Sequence, residues 1–299
     1  MKTSTTLVAA ILGFFGWAGG SLHAAPIIYV ASIGDAAIYK YDNLGQRTTF
    51  LNSGLSFPEG LVRDTLGNFY VANQFGGTIT KITSSGVGSF FATADPSGTP
   101  APYDLAFDAS GILYVVNAGP GNVRRFSSTG VDLGVFVSGL STPDGLLFDA
   151  AGNLYVSQYG ANGIKKFNSS GAFVLEINTS GNQTQGMTFD SAGNLYVTYP
   201  SAGKVEKFSS TGVDLGTFAT GLSSPGDLAF DAAGNLYVTD FNLGQVLKYS
   251  STGQSLGVFA NVANASSIYI IDIPEPASAL LLSAAILPLA LRRPRSQPA

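Results

Sequence analysis

The sequence predicts an all-β fold: a six-bladed β-propeller with four-stranded antiparallel blades, closed by pairing N-terminal strands with the C-terminal strand, and with helical termini. Three observations carry this. A 41-residue repeat runs through the chain, the composition is that of short strands and tight turns, and the first and last repeats are incomplete in complementary ways.

The repeat fixes the blade. The segment Gly145-Leu-Leu-Phe-Asp-Ala-Ala-Gly-Asn-Leu-Tyr-Val156 recurs at 186–197 and 227–238, with more divergent copies at 60–71 and 104–115. Tyr29, Tyr70, Tyr114, Tyr155, Tyr196 and Tyr237 mark one position in each copy, at spacings of 41, 44, 41, 41 and 41. Within a repeat, strand A spans Gly145–Asp149 and strand B spans Leu154–Ser157. Strand C spans Gly163–Phe167 and strand D spans Ala172–Ile177. Gly, Asn and Ser fill the turns, where positive φ or side-chain-to-backbone bonds are wanted. The recurring Tyr and Phe107, Phe148, Phe189 and Phe230 are expected to fill the space between blades.

Closure follows from the ends. The first strand B, Ile27–Val30, has no strand A before it, and the last strand A, Ser267–Asp272, has no strand B after it. Each supplies what the other lacks, so the C-terminal strand is expected innermost in the blade begun at residue 27, leaving no open edge between blades.

Composition bounds the chemistry. The 299 residues include 37 Gly, 13 Tyr and 20 Phe but no Cys, and the single histidine is His23. A body without imidazole or thiol excludes Ser-His-Asp and Cys-His catalysis and histidine metal ligation. Setting aside Lys2, Arg292, Arg293 and Arg295 leaves 11 of the 15 basic residues, and setting aside Glu275 leaves 18 of the 19 acidic ones. The body therefore carries about −7, against nucleic-acid binding, which needs clustered Lys and Arg.

Both ends are expected to be processing segments, giving residues 1–24 as a signal peptide, 26–273 as the propeller and 274–299 as a sorting tail. Lys2, an apolar stretch from Leu7 to Ala18 and small residues up to Ala24 have the order of a secretory signal. At the other end, Pro274-Glu275-Pro276 precedes the apolar run Ala277–Leu291 and the cluster Arg292, Arg293, Pro294 and Arg295. The apolar helix would halt in the bilayer with its Arg end cytoplasmic. The order resembles the PEP-CTERM sorting tail of Gram-negative bacteria. That resemblance implies transient membrane association, an exosortase-type protease as partner, and delivery to the cell envelope or an exopolysaccharide matrix. The body is expected to be monomeric.

The repeat itself resembles NHL-repeat and gluconolactonase-like propellers. Their phrase Pro-x-Gly-apolar-x-x-Asp-x-x-Gly-Asn-apolar-Tyr-Val is matched at 143–156 and nearly so at 58–71 and 225–238. The resemblance spans 27–272 and concerns fold, because propellers host enzymes, binders and scaffolds alike.

Propeller topology sorts polar positions onto two faces. The start of strand A carries Glu59, Tyr103, Asp144, Gln185, Gly226 and Ser267 on the top face, and the next position adds Asp104 and Asp227. The end of strand B adds Ser32, Asn73, Asn117, Gln158, Tyr199 and Asp240. These are expected either to cap loop amides and hold channel water or to form a ligand site at the channel mouth. For the latter the candidates are Glu59, Asn73, Asp104, Asn117, Asp144, Gln158, Gln185, Asp227 and Asp240. The Pro-rich loop Thr93–Ala101, three residues longer than its counterparts, is a further hint of ligand contact there.

The gluconolactonase resemblance implies a different use of the same face. A divalent cation such as Ca²⁺ would be held by Glu59, Asn117, Asp144 and Asp240 for lactone hydrolysis, with no Asn at the start of any strand A and with Tyr103 and Gly226 where ligands would be wanted. Lyase-type propellers that open cyclic lactone antibiotics use a histidine base, which this body lacks. The leading expectation is a non-catalytic binding or scaffold module; the alternative is a metal-dependent lactonase.

On the bottom face, Asp64, Asp108, Asp149, Asp190, Asp231 and Asp272 end strand A. Lys40, Lys81, Arg125, Lys166, Lys207 and Lys248 stand late in strand C. Asp is expected to accept turn amides and the cations to lay their stems on the blade, so that their fields cancel.

Overall fold

The computed structural model describes residues 26–98, 100–161, 163–179 and 183–272. The expected signal peptide, the sorting tail with Pro274, Glu275, Pro276, Arg292, Arg293 and Arg295, and the helices of both lie outside the described residues. Among the described residues no helix is long and apolar enough to cross a membrane.

The repeats fold into six four-stranded antiparallel sheets. Blade one holds β1 (Pro26–Ser32), β2 (Ala37–Tyr41) and β3 (Arg47–Leu51). Blade two is β4 (Pro58–Arg63), β5 (Phe69–Asn73), β6 (Thr78–Ile82) and β7 (Gly88–Thr93). Blade three is β8 (Pro102–Phe107), β9 (Leu113–Asn117), β10 (Asn122–Phe126) and β11 (Asp132–Ser138). Blade four is β12 (Pro143–Phe148), β13 (Leu154–Gln158), β14 (Ile164–Phe167) and β15 (Phe173–Ile177). Blade five is β16 (Met187–Phe189), β17 (Leu195–Tyr199), β18 (Lys204–Phe208) and β19 (Asp214–Thr220). Blade six is β20 (Pro225–Phe230), β21 (Leu236–Asp240), β22 (Gln245–Tyr249) and β23 (Ser255–Asn261). The last strand, β24 (Ala265–Asp272), returns to blade one, where the order is β24-β1-β2-β3. The ring is thus stitched shut as its two half-repeats require, with Tyr29 opposite Tyr269 and Pro26 opposite Asp272.

That register corrects one alignment. Ser266, not Ser267, occupies the position of Glu59, because Val30 faces Ile268 as Val71 faces Leu61, and Ser32 faces Ala265 as Asn73 faces Pro58. Asp272 consequently lies one residue beyond the turn position of Asp64. The closing strand has no A–B hairpin to fix its last residue, and Asp272 instead accepts from Ala232 N of the adjacent blade at 3.1 Å.

Each A–B turn is locked by its Asp. In blade four, Asp149 Oδ1 accepts from Asn153 N at 2.8 Å and Ala151 N at 3.0 Å, while Gly152 takes the left-handed φ of 79°. Every second-strand Tyr is buried between blades. Tyr114 makes edge contacts with Phe136 and Phe148 at 5.0 and 4.9 Å, and Tyr196 does the same with Phe218 and Phe230 at 4.9 Å. Such pairs add about 0.5–1.5 kcal/mol beyond the area they bury.

The bottom face has the structural form expected of it. Lys166 Nζ lies 3.0 Å from Asp149 and 4.8 Å from the Tyr155 ring, and Lys207 repeats this with Asp190 at 3.3 Å and Tyr196 at 4.9 Å. Burial opposes ionisation of Asp149 and Asp190, but hydrogen bonds from Asn153 and Asn194 and the neighbouring ammoniums hold both below the ordinary range.

Candidate functional site

The innermost strands arrive at the top face side by side and lay down two rings of residues. The outer ring is Glu59, Tyr103, Asp144, Gln185, Gly226 and Ser266, and all six line a funnel-shaped cavity of about 310 Å³. The inner ring, one residue further on, is Gly60, Asp104, Gly145, Gly186, Asp227 and Ser267 around a chamber of about 30 Å³. The throat is narrow because backbones approach there: a Cβ on Gly60 would stand 2.6 Å from Asp104 Cα, and one on Gly145 2.5 Å from Gln185 O.

Asp104 and Asp227 sit three blades apart, on opposite sides of the throat, and each clasps the next blade. Asp104 accepts from Leu105 N and from Leu146 N of blade four, both at 2.8 Å. Asp227 accepts from Leu228 N at 2.8 Å, and from Ile268 N at 3.0 Å and Ser267 Oγ at 2.7 Å of the closing strand. Burial, then the opposing Asp227 charge, pushes Asp104 up to about 7 despite its two amide donors. Burial also raises Asp227.

Glu59 and Asp144 differ in kind. Among the described residues no backbone N–H donates to either carboxylate; Asp144 has the Gln185 amide as a side-chain partner. Burial is the largest cause holding both well above the carboxylate range. For Glu59 the charges of Asp144, Asp104 and Asp227 add to it, and for Asp144 those of Asp104 and Asp227. No Lys or Arg lines either chamber.

Four of the expected top-face residues turn away from the mouth. Asn73 accepts from Ser56 N at 3.0 Å and donates to Thr80 Oγ1 at 2.9 Å. Asn117 donates to Ala94 O at 3.2 Å, and Gln158 accepts from Ser141 N at 3.0 Å. Asp240 accepts from Ser223 N at 2.7 Å and Ser224 N at 3.1 Å. All four are buried within blades, tied to the loops that lead into the inner strands. The strand pleat explains this: side chains alternate faces, so after three of these positions the next residue, rather than the position itself, reaches the cavity. Gln74, Tyr159 and Phe241, each one residue further on, line it.

The divalent site implied by the gluconolactonase resemblance does not fit these positions. Asn117 and Asp240 are committed to loop backbone, away from Glu59 and Asp144. Among the described residues no group of three or more His, Cys, Asp or Glu side chains converges to hold a metal ion. The described residues of the long loop also stay off the mouth. Asp95 accepts from Ser97 N and from Asn122 Nδ2, both at 2.8 Å, and pairs with Arg124 at 3.5 Å, which pins the loop against β10.

The funnel wall is aromatic above and acidic below. Phe57, Tyr103, Tyr159 and Phe241 form its upper part, with Gln74, whose Nε2 donates to Tyr103 Oη while its Oε1 is buried without a partner. Phe57 stacks on the exposed Phe75 at 4.1 Å. Among the described residues, four of the five non-glycine residues with positive φ, Phe57 at 59°, Thr142 at 43°, Gln183 at 69° and Asn264 at 47°, lie on the approaches to inner strands, and Phe57 and Thr142 line the funnel. Such backbone costs on the order of 1–3 kcal/mol per residue and concentrates at ligand clamps.

A second feature lay outside sequence reasoning. Ser157, Thr198 and Thr239, near the end of the second strand in blades four to six, bridge neighbouring blades. Ser157 Oγ accepts from Gly145 N at 2.7 Å and donates to Gln185 O at 2.6 Å. Thr239 Oγ1 accepts from Asp227 N at 2.8 Å and donates to Ser266 O at 2.9 Å. The signal was a hydroxyl where earlier repeats carry Ala31, Ala72 and Val116.

No protein-family model matches the chain, and no curated protein matches it significantly. Solved structures do resemble it. A chain of a nidogen/laminin complex superposes with a TM-score of 0.73 at 18% identity, covering 82% of this chain and 98% of that one. A catalytically inactive His-to-Ala variant of virginiamycin B lyase from Staphylococcus aureus, with quinupristin, gives 0.64 at 13% identity over 85% of this chain and 94% of that one. A protein of unknown function from Bacteroides caccae gives 0.65 at 14% identity, covering 83% and 99%. At these identities the likeness is one of architecture, and the chain is a six-bladed β-propeller.

Proposed function

We propose that this chain is an exported, non-catalytic binding or scaffold module of the cell envelope or extracellular matrix that engages its ligand in the top-face funnel. The funnel carries the reading. A cavity of about 310 Å³, walled by aromatic rings and a few converging polar groups on a rigid ring of blades, has the size and lining of a ligand pocket. The absence of histidine and cysteine from the body removes the commonest bases and nucleophiles, and among the described residues the acids form no chelate on which hydrolysis would run. The signal and tail sequences support export and envelope sorting.

Glycan and peptide arrays probed with the wild type and with Ser224→Trp test this. Ser224 lines the funnel, so the indole should obstruct it. The expected result is one ligand class bound by the wild type and weakened at least tenfold by the plug. Binding that ignores the plug, or hydrolysis of a bound lactone, overturns the proposal.

A further inference from the structure

We infer that the funnel recognises a cationic head group, a primary ammonium carried on a slender apolar stem, with its charge set against Glu59 and Asp144 and its stem against the aromatic rings above them. This rests on the funnel being the ligand site and names what it takes.

The lining asks for donors. Glu59 is half-buried and lines the cavity, yet no hydrogen-bond donor among the described residues reaches its carboxylate. Asp144, only 8% exposed, has one side-chain amide. The other buried acids at this face, Asp95 and Asp240, are each satisfied by loop amides. In the same wall the buried Gln74 Oε1 has no partner among the described residues. An ammonium brings three donors and no acceptor, and its charge offsets the repulsion among Glu59, Asp104, Asp144 and Asp227.

Shape narrows the class. Phe57, Tyr103, Tyr159 and Phe241 supply the π-faces on which alkylammonium groups rest. The chamber beneath has room for about one small head, about 30 Å³, which suits –NH₃⁺ better than the planar, wider guanidinium. A bare metal ion is disfavoured by the same geometry, since the carboxylates ring the channel without converging.

Proton linkage follows from the same geometry. The groups facing Glu59 and Asp144 are Asp104, Asp227, Tyr103 and Tyr159, with no cation among the lining residues. Burial and the neighbouring acidic charges hold both carboxyls well above their ordinary range, so a bound ammonium should drive protons off and bind more tightly as pH rises.

Calorimetric titration of the purified protein with cadaverine, and with Nα-acetyl-lysine amide as the form a peptide would present, is the test. 1,5-Pentanediol serves as the neutral match. The expected result is amine binding that releases protons and weakens at least tenfold in Glu59→Gln and in Asp144→Asn, while Asp214→Asn, on an outer strand, leaves it unchanged. Whichever of the two amines binds better identifies a free or a peptide-borne source. Equal binding of the diol, or indifference to E59Q and D144N in folded variants, overturns the inference. If a neutral saccharide binds and Ser224→Trp abolishes it while neither amine binds, the funnel remains the site and the cation is wrong. If nothing enters the funnel, both readings fall.

Discussion

Replacing Asp104 with Asn should stabilise the propeller at alkaline pH and destabilise it in acid. A carboxyl whose folded pKa exceeds its unfolded value binds its proton more tightly in the folded chain. Its contribution is therefore greatest below the unfolded value of 3.8 and is lost as pH rises through the folded value of about 7. At ~1.4 kcal/mol per pH unit, that interval corresponds to roughly 4 kcal/mol of penalty above neutrality. The neutral amide of the Asp104→Asn variant would escape it. However, Asp104 offers separate oxygens to Leu105 N and Leu146 N, and an amide has one oxygen, so one buried donor is orphaned at a cost of about 1–2 kcal/mol. The balance is a gain of about 2–3 kcal/mol at pH 8 and a loss of about 1–2 kcal/mol at pH 4. For a domain of this size each kcal/mol moves Tm by about 2–4 °C. Thermal melts of both proteins at pH 4, 6 and 8 should cross between the extremes. A difference of the same sign and size at all three values would refute the electrostatic account of the throat and leave Asp104 as a clamp alone.

Three further outcomes are expected. Thr239→Val removes the acceptor of Asp227 N and the donor to Ser266 O while keeping the β-branched shape, and should lower stability by about 1–3 kcal/mol in urea titrations. Gly60→Ala would set a Cβ 2.6 Å from Asp104 Cα and 2.8 Å from Tyr103 O, so blades two and three must separate; a melt within about 1 °C of wild type would contradict the tight throat. Replacing residues 265–272 by a Gly-Ser run of equal length removes the strand that pairs with β1, and should abolish the cooperative melt; a transition near the wild-type temperature would show that the ring does not depend on closure.

How much was legible in the sequence depended on periodicity. The Tyr spacing, the Asp-x-x-Gly-Asn turns and the complementary half-repeats repeat a local constraint many times, so blade number, strand order and closure could be read directly. Errors arose where a repeat loses its constraint. β24 has no hairpin after it, and aligning it on Asp272 displaced Ser266 by one residue. The site suffered from the other period, that of the pleat. Asn73, Asn117, Gln158 and Asp240 are polar and stand at the top of their strands, but a shift of one residue exchanges blade interior for channel, and which side wins depends on the loop backbone waiting to be capped. Phe57 has no aromatic counterpart in the other repeats, and the aromatic position of Tyr159 and Phe241 recurs in only those two, so aligning the repeats did not single them out.

The same accounting of donors separates scaffold from site within the acidic mouth itself. Asp104 and Asp227 stand at the same mouth, and burial raises both as it raises Glu59 and Asp144, yet each holds the next inner strand by backbone amides. A ring of blades benefits from such clasps wherever inner strands meet at a narrow axis, and Ser157, Thr198 and Thr239 achieve the same end without charge. Their carboxylates therefore have an architectural explanation. Glu59 and Asp144 clasp no strand in that way: among the described residues neither accepts from a backbone donor, and Asp144 has only the Gln185 side-chain amide of the next blade. A carboxylate held near other acids with no backbone donor is costly to keep, since burying a poorly paired charge opposes folding. Opening into the aromatic funnel gives these two a partner to await, and it is on them, rather than on the acids that clasp the strands, that loss of binding without loss of fold is expected to fall.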